Sequence, residues 1–289
     1  MLIICAAAIV QGEERGEPAL IGAPGVHQVE PGETLLGIGT RYGIGYDELI
    51  AANPDIEPWT PTVGTRVVLP TLHLLPTARA PGLVINLGDF RIYHFPDDGS
   101  VPRSWPVGIG REHHETPLMV AEVTEMRRNP TWRPTAQHRE TNPDLPVAVP
   151  PGPDNPLGPR AIRIGWQNYL IHGTNKPAGI GRQVSRGCIR LFNDDIIELF
   201  GLARIGMRVE IVDEPVKLGW SDGALYLEVH GDRQHGVEMD RSAAVALERP
   251  GGLLQRIKQE ADVAGVMIDW TLVDQTRREA TGRPVRISR

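Results

Sequence analysis

The sequence predicts an α+β chain of three units: a small βααβ module, a mostly β central domain of sandwich or barrel-like form, and a small C-terminal α/β appendage. Three observations predict this. Gly- and Pro-rich stretches at 11–26 and 71–82 break any hydrophobic period and isolate the blocks between them. Short alternating apolar runs dominate residues 83–214, the pattern of half-buried strands. Apart from one stretch near 194–200, a helical apolar period returns in the last segment, 215–289.

The module is read over 27–70. A short strand at His27 leads to a Pro31-Gly32 turn, and Thr34 caps a first helix that Gly43 ends. Asp47 is expected to cap a second helix, Asn53-Pro54 to stop it, and Arg66–Leu69 to close the unit as a strand. Residues 11–26 read as a flexible lead-in and 71–82 as an inter-domain linker.

In the central domain, strands are expected at Leu83–Leu87, Arg91–Phe95, Leu118–Val123, Ala161–Ile164, Tyr169–Ile171 and Arg208–Val212. One helix is expected over Asp194–Phe200, with Asn193 as its cap, two aspartates at its positive end and Gly201 as its stop. Nine prolines between Asn129 and Pro159 argue against both strand and regular helix there and predict an extended loop. In the appendage, Ala224–Val229 reads as a strand and Gly252–Ala264 and Asp269–Ala280 as helices.

The net charge of −6, with no run of Lys and Arg, excludes a nucleic-acid binder. Residues 2–10 form an apolar run about the length of a signal-peptide core and too short to span a bilayer, so a secreted mature chain without a transmembrane span is expected. Once residues 1–26 are set aside, Cys188 is the sole cysteine, which has no partner for an internal disulfide and reads as a free reactive thiol.

That thiol carries the chemistry. His172 lies sixteen residues ahead of Cys188, in a sequence that suits a base on a neighbouring strand. A thiol attacks as its thiolate, and Arg186, Arg190 and the imidazole are expected to favour that form. Gly187 permits a sharp turn whose backbone N–H groups, with Ser185 beside them, can face a developing oxyanion. Arg190 is read either as a fork for a substrate carboxylate or as an ion-pair partner of Asp194 or Asp195. Trp132, in the proline-rich loop, is read either as a platform for substrate or as packing for the loop. Nothing in the chain calls for a metal or cofactor: HEXXH is absent, and His113-His114 read as a solvated turn.

The stretch 171–191, IHGTNKPAGIGRQVSRGCIRL, resembles the signature of the L,D-transpeptidases (YkuD-type domains), HG[ST]…[ST]HGC-x-[RN]. LVINLGDFRIYHFP at 83–96 and VGIGREHHETP at 107–117 resemble further blocks of that family; NPTWRP at 129–134 and PPGPDNPLG at 150–158 resemble its lipoprotein-anchoring branch. Two departures stand out. Arg186 occupies the place where the family has a histidine, and the glycine and aromatic usual after Thr116-Pro117 are missing. Residues 27–70 resemble a LysM module, which implies binding of N-acetylglucosamine-containing glycans through the turns at Gly32, Thr34, Asn53 and Ile56.

The resemblance implies a periplasmic, wall-associated enzyme without cofactor, with His172 as base, Cys188 as nucleophile and the Gly173 carbonyl orienting the imidazole. Its partners would be peptidoglycan stem peptides and glycan strands, with the lysine of an outer-membrane lipoprotein, a diaminopimelate of another stem, or water as acceptor. Two other readings stay open at this point: a catalytically silent LysM-type wall-binding protein, of which Arg186 would be the symptom, and a weaker one, a metallopeptidase built on His172.

Overall fold

The computed structural model describes residues 19–165, 169–231 and 252–289. The apolar run at 2–10 lies outside the described residues. Among those described, no helix is long and apolar enough to cross a membrane.

The chain begins with β1 (Leu20–Gly22) and β2 (Gly25–Gln28), followed by α1 (Leu35–Tyr42), α2 (Tyr46–Ala51) and β3 (Arg66–Leu69), with β2 and β3 pairing antiparallel. Thr34 caps α1 as expected, accepting from Gly37 N, and Gly43 ends it in the left-handed conformation at φ 62°. Asp47 does not cap α2. The cap is Gly45, and Asp47 sits inside the first turn, where its carboxylate faces Arg182 of the central domain at 3.6 Å. Leu35, Ile38, Leu49 and Val67 form the small core of this module.

Neither the lead-in nor the linker is loose where described. β4 (Leu72–Leu74) pairs antiparallel with β1, and Ile21 and Leu75 are buried. The reason is visible in the adjacent hairpin β5 (Gly82–Asn86) and β6 (Arg91–Phe95), both fully buried. Leu83, Ile85 and Ile92 face the main core, whereas Val84, Tyr93 and Phe95 face the opposite way and need an apolar cover. Ile21 and Leu75 supply it.

The central domain continues with β7 (Arg103–Pro106), β8 (Ile109–Gly110), β9 (Met119–Arg128), α3 (Ala136–Thr141), β10 (Arg160–Ile164), β11 (Tyr169–His172), β12 (Gln183–Ser185), β13 (Ile189–Arg190), α4 (Asn193–Leu202) and β14 (Arg208–Val212). Eight strands form one sheet in the order β13-β11-β10-β9-β14-β5-β6-β7, while β12 pairs with β8 apart from it. Ile196, Leu199 and Phe200 of α4 bury one helical face against this sheet's core.

Helix α3 corrects the expectation of a helix-free loop. It occupies 136–141, the proline-free interval between Pro134 and Pro143, and Thr135 caps it by accepting from His138 N. The loop around it is ordered by the buried Asn155, whose Nδ2 donates to the carbonyls of Pro130, Val149 and Pro150. Helix α4 also differs: it runs through Gly201 to Leu202, and Phe192, not Asn193, precedes it as cap, with no side-chain cap bond.

The appendage is a three-stranded sheet, β15 (Val216–Ser221), β16 (Ala224–Val229) and β17 (Val285–Arg286), covered by α5 (Leu253–Ala264) and α6 (Trp270–Glu279). Lys217 anchors it to the rest. Its ammonium, fully buried, lies 2.8 Å from Asp89 and 2.6 Å from Glu228, and donates to Tyr93 Oη and Leu74 O. Two carboxylates around one lysine satisfy a buried charge that would otherwise be costly.

Candidate active site

β11 and β13 run parallel, with Ile171 opposite Ile189 and His172 opposite Arg190. Directly opposed residues share a face, and so do residues two apart. His172 and Arg190 therefore project to one side, and together with Cys188, immediately ahead of β13, they line a single cleft of about 1560 Å³. The cleft walls come from the proline-rich loop, the turn after His172 and the arm 177–186.

The imidazole is buried at 4 % exposure, and its Nδ1 donates to the Gly173 carbonyl at 2.6 Å. A carbonyl only accepts, so Nδ1 carries the proton and Nε2 of the neutral ring carries the lone pair. Burial, reinforced by the Arg190 charge, lowers the His172 pKa to about 4, against the opposing bond to Gly173. For Cys188, burial pushes the thiol above its ordinary value, and a hydrogen bond with the Leu170 backbone and the charges of Arg190 and Arg163 offset part of this. The pair therefore rests as neutral thiol and neutral imidazole at pH 7, not as an ion pair.

This revises the reading of the flanking arginines. Arg190 and Arg163 are the charges that act on Cys188. The Arg186 guanidinium reaches the end of α3, donating to Thr141 Oγ1 at 2.8 Å. The residue that departs from the family pattern thus ties the nucleophile turn to α3 while lining the same cleft as Cys188. Arg163, on β10, takes part electrostatically and was not foreseen from sequence. Arg190 answers to Cys188 and to neither Asp194 nor Asp195, and its Nε is buried without a hydrogen-bond partner.

The turn carrying the sulfur is held from inside. Gly187, at φ 96°, donates its N–H to Ser185 Oγ, and Ser185 Oγ donates to the Cys188 carbonyl at 2.6 Å. Thr116 Oγ1 donates to the Gly187 carbonyl and accepts from Gly110 N. The Gly187 N–H, expected to face an oxyanion, is thus engaged within the turn by Ser185. Ser185 orders the turn, being 1 % exposed. Trp132 lines the cleft, half-buried, with its ring edge-on to His138 at 5.5 Å and its backbone paired to Val149, so it packs the loop and faces the cleft at once.

Asn193 is the positioning residue the sequence reading assigned elsewhere. Its Oδ1 accepts from Thr174 N at 2.9 Å, bracing the His172-Gly173-Thr174 turn. The glycan candidates of the module are likewise occupied in the fold: Thr34 caps α1, and buried Asn53 donates to Leu49 and Val68 carbonyls and accepts from Val68 N. Ile56 packs on the module core, and Gly32 supplies a turn at φ 82°. Trp59, 57 % exposed, stands 6.0 Å from Tyr46, and Arg182 lies over the Tyr46 ring at 5.2 Å.

As for metals, Asp89, Glu228 and His230 are close enough to share an ion, but the Lys217 ammonium already stands between the two carboxylates. His113 is exposed in its turn, contacting Glu112 at 3.8 Å.

The LysM domain profile matches residues 27–70, and the YkuD profile, described as an L,D-transpeptidase catalytic domain, matches residues 80–211. Probable L,D-transpeptidase YcfS of Escherichia coli (strain K12) is 39% identical over 231 residues, 76% of this chain and 72% of its own length. Probable L,D-transpeptidase ErfK/SrfK of the same strain is 37% identical over 269 residues, 91% of this chain and 84% of its own. Probable L,D-transpeptidase YbiS, also of that strain, is 34% identical over 280 residues, 93% and 89% respectively. With these matches spread across the cleft, the nucleophile turn and the N-terminal module, the chain belongs to the L,D-transpeptidase family.

Proposed function

We propose that this protein is a periplasmic, cysteine-dependent L,D-transpeptidase acting on peptidoglycan stem peptides. The observation that carries the reading is that His172, at the end of β11, and Cys188, immediately ahead of the parallel strand β13, line one peptide-sized cleft.

The resting neutral pair supports a general-base route. His172 Nε2 takes the Cys188 proton as sulfur attacks the carbonyl of the third stem residue, forming the S–C bond. Arg190 places positive charge beside the sulfur, where the donor docks. The C–N bond to D-alanine breaks, and its nitrogen leaves with the proton held on His172. A thioester remains. His172 then takes a proton from an incoming amine, the amide forms, and the sulfur departs as thiol with that proton. Throughout, the Gly173 carbonyl stabilises the imidazolium and fixes its ring.

The acceptor is an amine: the lysine of an outer-membrane lipoprotein, favoured by the resemblance of 129–134 and 150–158 to the anchoring branch, or a diaminopimelate of another stem. Water in its place gives trimming. The N-terminal module supports the enzyme by holding glycan strands near the cleft. A carbapenem tests the nucleophile: its mass should add covalently to the wild type and not to Cys188→Ala. A folded wild type that takes no label would instead favour a wall-binding protein without activity.

A further inference from the structure

The cleft is lined by seven Lys and Arg side chains and, among the described residues, by no carboxylate, in a chain with 36 acidic and 30 basic residues. A net-negative protein that concentrates cations in one concave surface focuses positive potential there. Some of these cations are already engaged. Arg127 and Arg163 pair with Glu125 at 2.5 and 3.0 Å, Arg182 faces Asp47, and Arg186 reaches Thr141. Three others, Arg133, Lys176 and Arg190, have no carboxylate at ion-pair distance among the described residues. Arg190 stands beside the sulfur with its Nε buried and unpartnered; Arg133 adjoins Trp132 on the loop wall; Lys176 follows the turn braced by Asn193. A half-buried guanidinium whose Nε is shut off from solvent without a partner favours a ligand that supplies an acceptor, and its planar fork matches a carboxylate.

We infer that the cleft selects its acyl donor by free carboxylates, one read by Arg190 next to the reacting centre and another by Arg133 and Lys176 on the outer walls, so that amidated stems are poor donors. This deepens the proposed function and rests on it. A polyanionic stem satisfies the three cations at once. An amide in place of a carboxylate removes the charge, keeps the shape, and turns an NH2 donor toward a donor-only guanidinium.

The test uses the full-length enzyme and synthetic tetrapeptide stems that differ only in whether the glutamate α-carboxyl and the diaminopimelate side-chain carboxyl are free or amidated. D-Alanine release without an amine acceptor reads the donor step alone. Each amidation should lower kcat/KM by about tenfold, chiefly through KM, as loss of one charge-assisted bond predicts. In Arg190→Gln the gap for one stem position should shrink to within about twofold, and high ionic strength should narrow both gaps. If Arg190→Gln does not fold, the surface pair Arg133→Gln and Lys176→Gln carries the same test for the outer position. Equal donor rates for free and amidated stems overturn the inference. So does discrimination confined to the second step, seen when only amidating the C-terminal carboxylate of a lysine-ended acceptor peptide matters. An enzyme that forms no adduct with any stem or with a carbapenem refutes the underlying reaction, which is a distinguishable result.

Discussion

The arm that carries the nucleophile rests on the N-terminal module at a point with no room for a side chain, and Gly181→Ala probes it. Gly181 has φ 78°, Tyr46 N donates to the Ile180 carbonyl, and a Cβ at 181 would lie 2.5 Å from Gly45 Cα and 2.6 Å from Tyr46 N. Two costs follow. The left-handed backbone costs an alanine about 1–2 kcal/mol, and backbone overlap in a packed contact costs about a further 1–3 kcal/mol. Gly206 separates them: it has φ 80° and nothing within 4 Å of an added Cβ, so Gly206→Ala bears only the first cost. Chemical denaturation should therefore show Gly181→Ala less stable than Gly206→Ala by about 1–3 kcal/mol. Because the arm continues through β12 to Cys188, carbapenem acylation should also slow on the order of tenfold in Gly181→Ala and stay at the wild-type rate in Gly206→Ala. Equal stability and equal acylation in the two variants would refute the claim that module docking positions the nucleophile.

Three further outcomes follow from the site. Acylation kcat/KM should fall on the acid side with a midpoint near pH 4, where His172 protonates and ceases to be a base, and stay flat through neutrality; a midpoint near 6.5 in a pH-rate profile would contradict a buried neutral imidazole. Asn193→Ala leaves the part-buried Thr174 N–H without its acceptor, so it should cost about 1–2 kcal/mol in denaturation and lower kcat more than it raises KM. Burial raises the Asp195 carboxyl from 3.8 to about 7, so the folded state keeps a proton the unfolded chain has lost, and stability drains away as pH rises from about 4 to 7. Asp195→Asn should stabilise the protein by about 1–2 kcal/mol at pH 8, after allowance for partial exposure, and give no gain below pH 4, measured as Tm across pH.

Local pattern made much of this legible. The strands at 91–95 and 208–212 follow from alternation, and Thr34 and Gly43 bound α1 because capping is a short-range affair. The histidine and cysteine can be paired because their spacing fits a base on a strand next to the thiol. What stayed hidden depends on distant segments. Asn193 looks like a helix cap in its own neighbourhood, yet Thr174 holds its side chain. Residues 71–82 look like a linker because nothing local says that Val84, Tyr93 and Phe95 require a cover. Lys217 shows no signal in sequence, since its partners Asp89 and Glu228 are remote along the chain. The Cys188 thiol is raised for a related reason that sequence does not show: burial outweighs the charges beside it.

The most direct measurement is intact-protein and peptide mass spectrometry after mixing the enzyme with a purified tetrapeptide muropeptide. The account predicts an adduct equal to the donor less D-alanine, carried by the peptide containing Cys188 and absent from both Cys188→Ala and His172→Ala. Stem turnover that persists in Cys188→Ala, or an adduct on any other residue, would contradict it.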